Sequence, residues 1–182
     1  FIVGGSKSGK SSYGEKEAIK LCKNSDLYYI ATMNPYDLED LKRIENHLKE
    51  REGYGFNTIE ETIEKLKGYI DIYLPDFKYA TDRLAKRYSG IDNYVINAKE
   101  SIAQMIMQVG KPVFNEKGIL KSGVVIRHMI LPNNVLNTKS VLKYIADNFK
   151  DKALVSVMAQ YFPTGEVIKD YPEINRKITK EE

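Results

Sequence analysis

The sequence predicts an α/β fold in two parts, in which short apolar strands alternate with helices. Two observations lead to this prediction. Segments of strand length are followed by segments with helical spacing of apolar residues, an order typical of parallel strands joined by crossover helices. The 182 residues are also 42% hydrophobic and 29% charged, a normal globular mixture that can bury a core.

The first part, residues 1–60, begins with an apolar strand at Phe1–Val3 and a glycine-rich turn. A helix from Lys10 to about Lys23 is predicted next, with Ala18, Leu21 and Cys22 on one apolar face. The remaining predicted elements of this part are a strand at Leu27–Thr32 and a charged helix at Asp37–Glu52.

The second part, residues 61–182, starts the alternation again. Tyr69–Leu74 carries isoleucine or leucine at every second position, which is typical of a strand. The predicted elements of this part are strands at Tyr69–Leu74, Gly123–Leu131 and Ala153–Ala159, and helices at Asp82–Tyr88, Tyr94–Val109 and Thr138–Phe149.

The turn near the start of the chain matches the phosphate-loop pattern G-x-x-x-x-G-K-[ST]. Its glycines let the backbone wrap around phosphate oxygens, and successive N–H groups would point at the anion. Lys10 would neutralise β- and γ-phosphate charge, and Ser11 would bind Mg²⁺. We therefore expect Mg²⁺ with GTP or ATP as the ligand; the alternative is a chance match in a loop rich in glycine, serine and lysine. The nucleotide-binding candidates in this loop are Gly4, Gly5, Ser6, Lys7, Ser8, Gly9, Lys10 and Ser11.

Three stretches occur in a specific order: the phosphate loop through Ser12, then Tyr29–Thr32, then Arg43-Ile44-x-x-His47-x-x-x-Arg51. Together they resemble the adenosylcobinamide kinase/guanylyltransferase family of cobalamin biosynthesis over about the first 60 residues. The resemblance implies phosphorylation of adenosylcobinamide, followed by attachment of GMP through a guanylylated histidine. By motif position His47 is the implied nucleophile, with Arg43 and Arg51 as phosphate contacts. Their four-residue spacing favours one helix face, and the alternative is a solvated face with an incidental histidine.

The chain departs from that family's pattern in two places. Glu52-Gly53 follows Arg51, where the family has an Asn/Arg-Pro element. After Glu60 we find no further match, and no apolar strand ending in an acidic residue that would complete a Mg²⁺ site. A short Thr-Ile-Glu repeat within Thr58–Glu64 lies at the boundary between the first and second parts of the chain.

Three later stretches, Asp71–Tyr79, Val124–Pro132 and Val155–Pro163, cover the second part. They resemble the later half of a radical S-adenosylmethionine enzyme of the pyruvate formate-lyase-activating type. The resemblance implies a partial (βα) barrel that binds a [4Fe–4S] cluster and S-adenosylmethionine. Such a cluster needs three closely spaced cysteines, and the chain has one cysteine, Cys22, which is predicted to lie in the core. No iron–sulfur cluster or iron–sulfur ligands are therefore expected in this chain.

Asp76, Lys78 and Arg127 are the candidate S-adenosylmethionine contacts. Asp76 and Lys78 are two residues apart and would share one side of an extended segment. Arg127 lies within an apolar strand, where an unpaired guanidinium would be costly. Its anionic partner is either the carboxylate of the cofactor or Asp76 in an intramolecular salt bridge. His128 faces the opposite side and is predicted to be structural. Further polar residues past the strand ends are Asn133, Asn134, Gln160 and Tyr161.

Charge and hydropathy exclude some classes of function. The net charge is +3 and neither part has a clustered basic stripe, so a nucleic-acid surface is not expected. No apolar run approaches the ~20 residues that span a bilayer. No signal peptide is visible, and the cytoplasm is the expected compartment. The sequence does not indicate an oligomeric state.

The two resemblances together predict a composite or fragment, in which the front of one enzyme joins the back of another near Thr58–Thr62. A start at Phe1 without Met and a charged end at Lys180–Glu182 agree with this expectation. The predicted architecture is a P-loop βαβα segment followed by a partial (βα) barrel segment. The predicted function is a nucleotide-binding, kinase/guanylyltransferase-like first part joined to a radical enzyme-like second part. The alternatives are a radical S-adenosylmethionine protein fragment or a catalytically inactive composite.

Overall fold

The computed structural model describes residues 10–22, 27–31, 45, 49, 52–53, 56–60, 63–163 and 167–182, with the backbone alone for 10–12, 27–31, 56–60 and 168. The chain divides into two compact units, Phe1–Lys65 and Leu66–Glu182. The division lies five residues after the predicted boundary at residue 60. The two units are described separately below.

The first unit contains one described helix and two described strands, followed by a 3-10 turn at Ile63–Leu66 whose last residue is the first of the second unit. Helix α1 is Lys10–Cys22, strand β1 is Leu27–Ala31, and strand β2 is Phe56–Glu60. β1 and β2 are parallel, with Ala31 opposite Glu60. The helix and the strand at Leu27 confirm the predictions within the described residues, whereas the predicted strand at Phe1–Val3 lies outside them.

The face of α1 that is half-buried differs from the predicted one. Ala18 and Cys22 are half-buried, but Leu21 is 77% exposed. The half-buried positions include Glu15 and Ile19, which continue the series i, i+3, i+4, i+7 that Ala18 and Cys22 belong to, and Leu21 falls beside that stripe. The prediction was wrong for Leu21. Cys22 is half-buried, with its thiol donating to the carbonyl oxygen of Ile19 at 3.2 Å.

The second unit is built on a mainly parallel sheet. The middle strand is β5, Leu120–Met129. Strands β3 (Ile72–Tyr73) and β6 (Leu154–Met158) are parallel to it on its two sides, and β4 (Val113–Phe114) is antiparallel to its first residues. This confirms an α/β fold with a parallel sheet. In the part of the unit that the structure describes, β3 and β6 pair with β5 alone, so these strands do not close a barrel. The strands are β3 Ile72–Tyr73, β4 Val113–Phe114, β5 Leu120–Met129 and β6 Leu154–Met158.

The helices of the second unit agree well with the predicted ones. Helix α3, at Tyr94–Val109, has the predicted bounds. Helix α2, at Asp82–Ser89, is one residue longer than predicted, and helix α4, at Val135–Phe149, begins three residues earlier than predicted. Thr81 caps α2 by accepting from the N–H of Leu84 at 3.4 Å, and Gly90 ends it in the left-handed conformation. The helices are α2 Asp82–Ser89, α3 Tyr94–Val109, α4 Val135–Phe149 and α5 Val167–Asp170, with a 3-10 turn at Pro172–Ile174.

Strand β3 is much shorter than the predicted strand Tyr69–Leu74. Pro75 has no N–H to donate, so the ladder with β5 is interrupted there. Pairing resumes at once: the N–H of Arg127 donates to the carbonyl of Pro75 at 2.8 Å, and the N–H of Phe77 donates to the carbonyl of Arg127 at 2.9 Å. Tyr73, rather than its isoleucine neighbour, is buried at 8% exposure.

The core lies on one face of the sheet. Along β5, Val124, Ile126 and His128 are fully buried and alternate with half-buried residues on the other face. Tyr73 on β3 and Phe77 just after it add to this core, and helices α3 and α4 supply the rest of its side chains. The core residues are Tyr73, Phe77, Ile102, Ile106, Val124, Ile126, Val141, Ile145 and Phe149.

Gly123 lets β4 and β5 approach closely. Its φ of 141° is a conformation that residues with side chains rarely adopt. A Cβ at this position would lie 2.9 Å from the Cα of Pro112, just before β4. The close approach of these two strands therefore depends on a residue without a side chain.

Candidate functional site

Most phosphate-loop candidates lie outside the described residues. These are Gly4, Gly5, Ser6, Lys7, Ser8 and Gly9. The candidates of the later predicted helix, Arg43, His47 and Arg51, also lie outside the described residues. Lys10 and Ser11 are the first two residues of α1. The last two residues of the motif therefore open a helix, as the phosphate-loop pattern requires.

Strand β2 was missed by the sequence analysis. It is parallel to β1 and ends at Glu60, with a second acidic residue, Glu61, next in the sequence. Asn57 and Thr58 interrupt its apolar character, so hydrophobicity alone did not reveal it. Its pairing with β1 is the signal that sequence reasoning lacked, since parallel pairing joins residues distant along the chain.

The predicted helix at Asp37–Glu52 is described at three positions, the last of which, Glu52, lies in a turn. Glu45 and Lys49 are both helical, and their side chains form a salt bridge of 2.7 Å at the i, i+4 spacing. Water and salt screen such an exposed pair, so it contributes little to stability.

In the second unit, the segment after β3 presents Asp76 and Lys78 on one side. Both are exposed, whereas Phe77 and Tyr79 between and after them are 1% and 5% exposed. This confirms that the two charged residues share one side of an extended segment. Because Phe77 faces the core, Asp76 and Lys78 lie on the opposite face of the sheet.

Arg127 on β5 pairs with Asp76. Its Nε donates to Asp76 Oδ1 at 2.7 Å, and its Nη2 lies 2.7 Å from the same oxygen. The side chains are 42% and 35% exposed, so the pair contributes at most about 1 kcal/mol. Of the two partners proposed for Arg127, the structure shows the intramolecular one. Binding of a cofactor carboxylate stays a prediction, and such a ligand would compete with Asp76.

His128 is structural, as predicted. It is fully buried, with Nδ1 2.7 Å from the carbonyl oxygen of Phe77 and Nε2 2.9 Å from the Thr138 hydroxyl. A carbonyl only accepts, so Nδ1 carries the proton and Nε2 accepts from Thr138. Burial lowers the pKa of His128, which keeps the ring neutral.

Asn137 was not identified from the sequence, yet its side chain holds the backbone of the segment after β3 that carries Lys78. Its Oδ1 accepts from the N–H of Ala80 at 2.7 Å, and its Nδ2 donates to the carbonyl of Lys78 at 2.9 Å. Asn137 and Thr138 lie on the buried stripe of α4 that includes Val141 and Ile145. Polar residues on such a stripe are the signal that would have found them, because a buried polar group needs a partner.

Tyr94 also fixes this segment. Its hydroxyl accepts from the N–H of Lys78 at 2.7 Å and lies 3.2 Å from the carbonyl oxygen of Asp76, to which it donates. Burial raises the pKa of Tyr94 to about 12, so the hydroxyl keeps its proton. The backbone that carries Asp76 and Lys78 is thus held by hydrogen bonds to three side chains. These belong to His128, Asn137 and Tyr94.

The other polar residues past the strand ends have different surroundings. Asn133 is in the left-handed conformation with φ 60° and contacts the last residues of the chain. The hydroxyl of Tyr161 is buried without a hydrogen-bond partner among the described residues. Burial raises the pKa of Tyr161, and Tyr79 and Tyr88 raise it further.

The described residues show neither a candidate metal cluster nor a membrane-spanning helix. They contain no group of three or more His, Cys, Asp or Glu side chains that could hold a metal ion. Among the same residues, none of the helices combines the length and apolar character needed to cross a membrane.

The chain was compared with known proteins. A relative from Methanocaldococcus jannaschii, named as an uncharacterized protein, is 35% identical over 123 residues. The match covers 67% of this chain and 32% of that relative, so the chain spans about a third of the relative's length. No solved structure matches the chain. Neither the relative nor the family below is described as a radical S-adenosylmethionine enzyme, and that interpretation stays a prediction.

Residues 1–73 match the family model described as cobinamide kinase / cobinamide phosphate guanyltransferase. The match runs through Thr58–Thr62, where a junction was expected, and continues past Glu60, where the resemblance was expected to end. The match to the archaeal relative is longer than this segment, so it includes residues after 73. Over residues 1–73, the chain is therefore similar to the cobinamide kinase / cobinamide phosphate guanyltransferase family.

Proposed function

We propose that the first unit binds Mg²⁺ with GTP or ATP and takes part in phosphoryl or guanylyl transfer of the kind its family is named for. One observation carries the proposal: the phosphate-loop pattern lies within the family segment, and α1 begins at its lysine. The backbone of Gly4–Gly9 would hold the phosphates, Lys10 would neutralise them, and Ser11 would hold Mg²⁺.

His47 is the proposed nucleophile for guanylyl transfer. A ring nitrogen would attack the α-phosphorus of GTP, forming a P–N bond as the α–β anhydride bond breaks and pyrophosphate leaves. The phosphate of the acceptor would then displace His47 and take the GMP group. Arg43 and Arg51 would neutralise phosphate charge from the same helix face. The helical pair Glu45 and Lys49 supports a helix through this stretch.

Replacing Lys10 with alanine tests nucleotide binding. The change removes a charge-assisted contact to phosphate, so we expect Mg²⁺–GTP or Mg²⁺–ATP to bind about ten- to a hundredfold more weakly in a calorimetric titration. The matched control is Lys16→Ala, which removes an exposed lysine from the same helix and should leave binding unchanged. Equal binding by the wild-type chain and Lys10→Ala would refute the proposal.

A second candidate function is binding of S-adenosylmethionine by the second unit. The observation that favours it is the arrangement of Asp76, Lys78 and Arg127 at adjoining parallel strands, on the face opposite the core. A carboxylate ligand could exchange with Asp76 on Arg127, and Lys78 is exposed beside it. Because the chain has one cysteine, we propose binding without radical chemistry.

Replacing Arg127 with methionine tests this second candidate. We expect S-adenosylmethionine to bind the wild-type chain and to bind Arg127→Met about tenfold more weakly, as judged by equilibrium dialysis. Arg83→Met, which removes an exposed guanidinium from α2, is the control and should not weaken binding. A wild-type chain that does not bind the compound at millimolar concentration excludes this candidate and leaves the nucleotide proposal untouched.

A further inference from the structure

The side chain of Glu182 is surrounded by hydrogen-bond donors. Its Oε1 accepts from the N–H of Asn133 at 2.7 Å and from Arg176 Nη2 at 2.8 Å. Its Oε2 accepts from Arg176 Nη1 at 2.7 Å and from the N–H of Thr179 at 2.9 Å. The carboxylate is 13% exposed. We call these donors, on Asn133, Arg176 and Thr179, the oxyanion cradle.

The oxyanion cradle lies where α/β proteins bind anions. Asn133 stands between the end of β5 at Met129 and the start of α4 at Val135. Ligands of open parallel sheets bind beyond the carboxyl ends of the strands. The left-handed conformation of Asn133, at φ 60°, allows its N–H to join the set, and asparagine is one of the few residues that tolerate it.

Two of the three donor residues, Arg176 and Asn133, are held in position by contacts that do not involve Glu182. Arg176 Nη2 also donates to Asn133 Oδ1 at 2.8 Å, and Nη1 donates to the carbonyl of Lys177 at 3.0 Å. Asn133 Nδ2 donates to the carbonyl of Glu173 at 2.6 Å. The guanidinium and the N–H of Asn133 would therefore keep their arrangement if the carboxylate left. Such preorganisation reduces the cost of binding another anion.

We propose that the oxyanion cradle is a binding site for the carboxylate or phosphate group of a small ligand, and that Glu182 occupies it as an internal substitute. An ordinary surface salt bridge needs one cation, whereas this carboxylate also engages two backbone N–H groups. Hydrogen bonds from Arg176, Asn133 and Thr179 lower the pKa of Glu182 to about 2, in keeping with a strong preference for an anion. The site does not depend on nucleotide binding by the first unit.

An internal substitute weakens the binding of external anions. Apparent affinity falls in proportion to the fraction of molecules in which the cradle is vacant. If Glu182 occupies the cradle about nine-tenths of the time, its removal strengthens external binding about tenfold.

The test is a titration of the full chain and of Glu182→Ala with inorganic phosphate and, separately, with acetate. Amide NMR signals of Asn133 and Thr179 report binding at the cradle. We expect at least one anion to bind Glu182→Ala about tenfold or more tightly than the wild-type chain. The anion with the larger gain identifies whether the natural ligand group is a phosphate or a carboxylate. Adding Arg176→Met to Glu182→Ala should remove the gain.

The matched control is Asp170→Ala. Asp170 is an exposed carboxylate that precedes the cradle residue Arg176 by six positions and makes no contact with the cradle in the described residues. Its removal should bring no gain. Equal binding by the wild-type chain and Glu182→Ala overturns the proposal, as does a gain that persists with Arg176→Met. If Glu182→Ala does not fold, Glu182→Gln keeps the shape and removes the charge, and the same gain is required of it.

Discussion

Replacing Phe77 with alanine is expected to lower the free energy of unfolding of the second unit by about 3–5 kcal/mol. Phe77 is 1% exposed and packs edge-on against Tyr144, with ring centroids 5.8 Å apart. Its removal would leave a cavity between the sheet and α4, because the backbone of Phe77 stays fixed by its hydrogen bond to Arg127. Urea denaturation, followed by circular dichroism, measures the loss.

Phe162→Ala provides the comparison for Phe77. Phe162 has the same side chain but is 63% exposed, so its removal should change stability by no more than about 0.5 kcal/mol. Similar losses for the two variants would show that the packing around Phe77 is not as the structure describes it.

The second large effect is expected for Asn137→Ala, about 2–4 kcal/mol. The change leaves the N–H of Ala80 and the carbonyl of Lys78 without their side-chain partner. A polar group left unpaired away from water carries its full desolvation cost. Denaturation gives the energy, and faster amide hydrogen exchange at Ala80 would locate the damage in the segment that carries Lys78.

Asn148→Ala is the matched variant on the same helix. Asn148 is exposed, and its Nδ2 donates to the carbonyl of Tyr144 at 2.9 Å, a group that water can reach when the side chain is removed. A loss below about 0.5 kcal/mol is expected. If Asn148→Ala destabilises the chain as much as Asn137→Ala does, the two buried bonds do not carry the effect.

Helices were predicted best because their signals are local. α3 starts after Asn93 and ends before Gly110, so both bounds were visible in the sequence. α4 starts earlier than predicted because its first turn carries Asn137, whose partners Lys78 and Ala80 lie almost sixty residues away in the sequence. Long-range partners of this kind leave no trace in helical periodicity.

Strands were predicted less well because pairing decides them. β5 was found from its apolar run, but β2 and β4 were missed. β2 contains polar residues and exists through its pairing with β1, while β4 is two residues long and pairs only with the first residues of β5. β3 was predicted too long because alternation alone does not show where a ladder breaks.

The part of the candidate site that could be predicted is the ion pair of Arg127, because an unpaired guanidinium among apolar residues has a high free-energy cost. Arg127 had to have an anionic partner, and the structure supplies Asp76, one of the two that were considered. The oxyanion cradle could not be predicted, since two of its donors are backbone N–H groups. Backbone donors carry no residue-type signal, and only the fold brings Asn133, Arg176 and Thr179 together.

The close approach at Gly123 has an evolutionary consequence. Any replacement there adds a Cβ at 2.9 Å from the backbone of Pro112, and a backbone cannot swing away as a flexible side chain can. The same replacement also meets an unfavourable φ. Substitution of Gly123 is therefore expected to be tolerated only if Pro112 and β4 shift together. Homologous proteins that keep β4 and β5 this close are expected to keep the glycine.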